Sequence, residues 1–266
     1  MSGIVVLASE GDTWSPPSLG EFFPPAIFFE GTPFEMNRIH LIAMLMTGLL
    51  SLFFVMAFRN PQVVPRGVQN VGEVALDLVR TYIVDEILGV EGRKYTAYLT
   101  TLFFLILSFN VTGIIPFVNM PVSATIGFPV FLALTSYVAF NWAGIKAQGI
   151  GGYLSSNLFI PGVPKVMYIL LTPIEFLSTF ILRPITLALR LMVNMLAGHL
   201  MLVLFFSAAW YFIFFPNSPL QPILGIGVFG AGFAFTLFES LIIVIQAYIF
   251  TLLTAVYIAG ATAEHH

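Results

Sequence analysis

The chain has no cysteine, which excludes disulfides, thiol nucleophiles and thiolate metal sites. Charge is scarce: aspartate, glutamate, lysine and arginine make up 9% of 266 residues. The formal net charge of −3 offers nothing to a nucleic-acid backbone. No basic residue precedes Arg38. A cleavable signal is also lacking, because Ile4–Ala8 is too short an apolar core and has no basic flank. The first membrane helix is therefore expected to direct its own insertion. What is present is apolar. Hydrophobic residues are 58% of the chain, 28 of the residues are Phe, and the mean hydropathy is +0.96. Apolar runs of about 20 residues span a bilayer as helices, and several fit here.

In chain order, residues 1–37 form a polar, proline-rich and acidic external tail (Glu10, Asp12, Glu21, Glu30, Glu35). Residues 38–266 form one membrane domain. Its first span, 38–59, ends at Arg59-Asn60-Pro61, a charge followed by a helix stop. Over 67–90, Val68, Val71, Val74, Ala75, Leu78, Val79 and Tyr82 recur at helical spacing, with Gln69, Asn70, Glu73, Asp77 and Arg80 between them. This predicts an amphipathic helix lying along the interface; the alternative is a packed helix of a small soluble subdomain. A helical hairpin, 95–147, follows, with arms Tyr95–Pro116 and Gly127–Lys146 and an uncharged turn at 117–126. Gly149 to Pro164 reads as a flexible turn, since its GIGG has no preceding strand and no following Lys-Ser/Thr pair.

The last hundred residues, 166–263, hold two very long apolar segments, from about Val166 to Phe215 and from about Ile223 to Ala263. At about 1.5 Å per residue, 40 to 50 residues extend about 60–75 Å, against a hydrocarbon core of about 30 Å. Each segment is therefore two helices or one steeply tilted one, and the lack of charge at any midpoint favours tilt. The fold class expected is all-α and polytopic, with about five membrane-embedded helices and one interfacial helix. With the N-terminus outside, Arg59, Arg66, Arg80, Arg93, Lys94, Lys146 and Lys165 all fall inside, leaving Arg38 outside. That distribution predicts an N-out, C-in topology.

Within these segments a few polar residues stand out. Arg190 lies in RPITLALRLMVNMLAGH (183–199). An arginine at membrane depth costs about 2.5–3.5 kcal/mol on insertion scales and marks a functional residue. Asn194 and Thr186, four residues to either side, share its face. His199, nine residues on, comes round to roughly the opposite side. On the last segment Glu239 and Gln246 are seven apart and so lie on one side. A carboxyl and an imidazole can exchange protons near neutral pH, and amides can order water between them. The guanidinium stays charged and so serves as barrier and anchor, not relay.

Each residue also has a blander reading. His199 can be a packing residue, Asn194 and Gln246 interhelical glue, Asn110 an interhelical hydrogen-bonder, and Glu239 the fixed salt-bridge partner of Arg190. Glu175 and Arg183 can be interfacial groups or can line a water-filled mouth. Two rival functions remain at this level. One is an ion-coupled secondary transporter gated by an Arg190–Glu239 pair. The other is a membrane-embedded enzyme, against which no nucleophile–base set or metal-ligand cluster is found; His40 is isolated and His265 and His266 sit in the tail.

RPITLALRLMVNMLAGH resembles the signature of subunit a of the F-type ATP synthase, and FESLIIVIQAYIFTLLTAVYIAGATAEHH resembles that family's last helix. Upstream, VPRGVQNVGEVALDLVR and FNVTGIIPF are similar to its amphipathic helix and to the end of a hairpin helix. Together these cover most of 38–266. The resemblance implies that the family's essential arginine is Arg190, with Asn194 beside it. His199, Glu239 and Gln246 would complete the proton-translocating set, with Asn110, Thr186 and Glu175 as candidate half-channel lining. Glu175 stands one place earlier, relative to Pro184, than the family's glutamate. The implied role is a non-catalytic stator subunit offering two offset proton half-channels to a rotating ring of membrane hairpins. Implied partners are that c-ring, the peripheral-stalk subunit b, the lipid bilayer and a soluble F1 head, with no cofactor and no metal. The implied location is a bacterial inner membrane.

Overall fold

The computed structural model describes residues 14, 16–18, 20, 24–28, 35–115, 118–158, 167–216 and 218–263. The tail acids Glu10, Asp12, Glu21 and Glu30, together with Pro116, Lys165, His265 and His266, lie outside the described residues. In the tail, β1 (Ala26–Phe28) pairs antiparallel with β2 (Met36–Asn37) in a short ladder. The rest is helical: α1 (Arg38–Phe58), α2 (Val68–Val79), α3 (Asp85–Ile87), α4 (Thr96–Val111), α5 (Gly127–Leu158), α6 (Tyr168–Phe176), α7 (Arg183–Phe214) and α8 (Gln221–Thr262). The fold is all-α and polytopic. Among the described residues, α1, α5, the run from α6 through α7, and α8 are each long and apolar enough to cross a membrane. Counting α4, which at 16 residues is shorter, the membrane-embedded helices number five.

Asn37 starts α1 by accepting the His40 N–H on its side chain at 3.1 Å, satisfying one of the orphan donors of the first turn. Only Ile39, Ala43 and Ala57 of this helix are buried, so most of its surface is left for lipid. α2 has three stripes. Gly72, Ala75 and Val79 are buried, while Val68, Val71, Val74 and Leu78 form an exposed apolar stripe. Asn70 and Asp77 lie exposed between the two. At Gly72 an added Cβ would strike Ala57 of α1, so the missing side chain is what lets the interfacial helix seat against the first span. Val79 joins Ile39, Leu99, Ile106, Leu132, Leu191 and Phe250 in the main core. The amphipathic segment is thus part of the membrane bundle and not of a separate subdomain.

One expectation is corrected. Residues 150–158, read from sequence as part of a flexible turn, are helical and continue α5 beyond a kink at Gly149 (φ 72°). The left-handed backbone there suits glycine, and beyond it the chain folds back under α5. Tyr153 packs on Gly144 and donates its hydroxyl to Asn141 Oδ1 at 3.0 Å. Gln148 Nε2 donates to the Ala261 and Ala263 carbonyls at 3.1 and 2.8 Å, which closes the C-terminal end of α8. A tertiary contact holds this turn of helix where local composition alone would leave a loop.

At 42 residues, α8 extends about 63 Å. That is about twice a hydrocarbon core, so the helix runs at a steep tilt. α7 lies antiparallel to it along nearly its whole length. Gly225 of α8 sits against Phe212 and Ile213 of α7, and Gly232 against Phe205 and Phe206. Further along, Asn194 meets Gln246 and Arg183 lies over the Tyr257 ring. Gly225, Gly232, Glu239 and Gln246 are spaced by seven and all buried, the repeat that keeps one seam facing a partner helix. Two of its four places are glycine, which brings the backbones close.

Candidate functional site

Arg190 and Glu239 belong to opposite sides of this helix pair. On α7, Leu187, Leu191, Met195 and Leu202 are buried while Thr186, Leu189, Arg190, Val193, Ala197 and Met201 are exposed. Arg190 therefore stands on an open apolar face. Among the described residues no ion pair reaches it, whereas Asp85 pairs with both Arg80 and Arg93. The alternative in which Glu239 is the fixed salt-bridge partner of Arg190 is not met: no ion pair joins them.

Glu239 is 3% exposed. It faces α7 at Gly198, where an added Cβ would run into its carboxylate. Gly198 is the residue that sequence reasoning missed; its signal is its place in the register, seven residues past the buried Leu191. His199, 5% exposed, and Asn110 of α4, fully buried, meet Glu239 around a cavity also lined by Gly113, Pro121 and Met195. Its volume for water centres is about 10 Å³, room for roughly one water. Glu239 Oε2 and both amide atoms of Asn110 are buried without a hydrogen-bond partner among the described residues. Such groups in a native interior call for an explanation.

The remaining predicted residues fall as follows. Asn194, half-buried, donates its Nδ2 to Gln246 Oε1 at 3.5 Å, bridging α7 and α8 one turn from Arg190. Thr186 is exposed on the Arg190 face and its hydroxyl donates back to Leu182 O at 2.7 Å. Glu175 is half-buried on α6, remote from the Glu239 cavity. A further polar chain went unread in the sequence. Tyr98 and Thr254 donate to Ser136 Oγ at 3.4 and 3.2 Å, tying α4, α5 and α8 together. Hydroxyl residues at wide spacing carry no signal until three helices meet. Among the described residues no three His, Asp or Glu side chains cluster as metal ligands do.

The family model for the ATP synthase A chain matches residues 40–259. The chain belongs to this family. It is 52% identical over 257 residues to ATP synthase subunit a of Rhodococcus erythropolis, covering 96% of this chain and 93% of the relative. It is 38% identical over 268 residues to ATP synthase subunit a of a Parafrankia species, covering 99% and 89%. A third relative, ATP synthase subunit a of Frankia alni, is 38% identical over 265 residues, covering 98% and 90%. The match runs from α1 into α8, so the family assignment rests on most of the sequence and not on one motif.

Proposed function

We propose that this chain is the stator of an F-type ATP synthase membrane sector, carrying protons between two offset half-channels and a rotating ring of membrane hairpins. The observation that supports it best is Arg190: an exposed arginine on an apolar helix face with no ion-pair partner among the described residues. A cation so placed needs a negative partner from outside the chain, and a ring that presents one carboxylate per hairpin supplies it in passing. Glu239, His199 and Asn110, with Asn194 and Gln246 beside them, form the outer path. There the carboxyl and imidazole relay protons and the amides hold water. Arg190 separates this path from an inner one and blocks a direct leak. Thr186 lies on the ring-facing side, and Glu175 lies toward the inner end. The long tilted helices follow the curve of a ring over many residues.

The chain is not itself an enzyme in this reading. It works with the ring, the peripheral-stalk subunit b and a soluble F1 head, in a bacterial inner membrane, with its N-terminus outside and C-terminus cytoplasmic. Each proton crossing gains about 2.3 kcal/mol per 100 mV, so several are needed per ATP. The unpaired state of Arg190 and Glu239 argues against a stand-alone transporter gated by that pair. The test is ATP-driven acidification of vesicles containing the assembled complex. Arg190→Ala abolishes acidification while the complex still assembles; acidification at the parent rate would remove the mechanism.

A further inference from the structure

Between α6 and α7 the chain does not run as an α-helix. Leu177–Leu182 is π-helical, and the Arg183 N–H donates to Ser178 O, five residues back. Pro184 gives the reason. It has no N–H for the Phe180 carbonyl, and in an α-turn its ring would press on that carbonyl; a wider turn relieves both.

The wider turn also changes which way everything before it points. A π turn takes one residue more than an α turn, so it sets the preceding residues back by about 100° around the axis. Glu175 precedes Arg190 by fifteen residues. In an unbroken α-helix it would lie about 60° to the open side of Arg190. With one residue absorbed, the effective spacing is fourteen and Glu175 falls about 40° to the other side, toward α8. Asn194, four residues after Arg190, occupies that same line and meets Gln246 of α8. Arg183, seven before Arg190, keeps to this edge as well, and its guanidinium lies 5.2 Å from the centre of the Tyr257 ring of α8. The burial of Glu175 agrees: it is half-buried, as Asn194 is, while Pro173, Ile174, Phe176 and Leu177 around it are exposed.

We propose that the π-helical segment Leu177–Leu182 is a register device. It turns the Glu175 carboxylate onto the α8-side edge shared by Arg183, Arg190 and Asn194, and so makes Glu175 the inner end of the proton path. The inference rests on the half-channel reading above. Glu175 stands about 20 Å along the axis from Arg190, which suits the inner mouth of a bilayer with a core of about 30 Å. Its carboxylate takes up, through water, the proton released by a rotor carboxylate and gives that proton to water on the inner side, ending unchanged.

The test uses the assembled complex in vesicles and reads ATP-driven acidification beside the parent and Arg190→Ala. Glu175→Gln lowers the rate about tenfold or more, and Glu175→Asp, which keeps the carboxyl, restores most of it. Exchanging Glu175 and Phe176 (Glu175→Phe with Phe176→Glu) moves the carboxyl about 100° off the edge and is as slow as Glu175→Gln. Deleting Ile181, which shortens the π turn to an α turn, leaves a real spacing of fourteen and keeps the rate within about twofold of the parent. Parent-like rates for Glu175→Gln or for the exchange overturn the proposal, as does an assembled Ile181 deletion that is as slow as Glu175→Gln. If the deletion does not assemble, the exchange alone decides. Should Arg190→Ala acidify normally, the half-channel reading fails as a whole; should it be dead while Glu175→Gln is unimpaired, this inference alone fails.

Discussion

The chain treats its arginines in two ways. In the segment between α2 and α4, Arg93 Nε and Nη2 donate to the two oxygens of Asp85 at 3.0 and 3.3 Å, and Arg80 comes within 3.8 Å of the same carboxylate. The carboxyl of Asp85 is held below the usual carboxylate range, first by the Arg93 hydrogen bond and then by the charges of Arg93 and Arg80. Here water is at hand, and an exposed pair of this kind contributes little to stability. Arg190 is the reverse: it lies on a membrane helix, where an unmatched charge is costly, yet among the described residues no carboxylate pairs with it. A protein that can place an aspartate beside Arg93 can place one beside Arg190. That it does not points to a partner that comes and goes.

Beyond the loss expected of Arg190→Ala, the comparison can be pressed at three points. The largest effect is at Glu239. Glu239→Gln keeps the shape and removes the proton-carrying group, so pumping falls by about a hundredfold and its dependence on outer pH changes. An unchanged pH profile would count against Glu239 as a relay. Next comes Gly198, where any side chain collides with the Glu239 carboxylate. Gly198→Val slows pumping severalfold while Arg190 stays essential, and overpacking of this kind costs about 1–3 kcal/mol of stability. Full activity there would mean that the α7–α8 contact is looser than described. Smallest is Asp85→Asn, which breaks the matched cluster but leaves pumping within about twofold. The stabilising effect of that aspartate is present at neutral pH. Because its carboxyl is depressed in the folded chain, the effect is lost as pH falls through that lowered value. A large loss of transport in Asp85→Asn would blur the contrast between the two arginine settings.

Much of the bundle was legible in the sequence because lipid imposes a simple rule. Runs such as 38–58 and 221–262 have no charge to stop them short, apart from Arg38 at the very start of one and Glu239 within the other, and become single helices. The candidate residues could be named from their cost at membrane depth, and helical spacing put His199 across from Arg190, where it is buried beside Asn110 and Glu239. What the residues cannot announce is register between helices. The match of Gly198 to Glu239, or of Asn194 to Gln246, depends on how two helices slide past each other, and only the seven-residue repeat of 225, 232, 239 and 246 hints at it. The π turn before Arg183 is equally silent, because one absorbed residue leaves composition and local hydropathy unchanged. Residues 150–158 were misread for a related reason: their helix is held by Tyr153 returning to Gly144, a contact made across a turn whose glycines alone suggest a loop.

The central claim is that the partner of Arg190 belongs to another polypeptide, and the absence of cysteine makes it directly testable. Ala197→Cys places one thiol on the exposed face two turns from Arg190, where a photoreactive maleimide can be attached in the assembled complex. The account predicts that light joins this chain to the small hairpin subunit of the ring. Attachment only to lipid, or only within the chain itself, would contradict it.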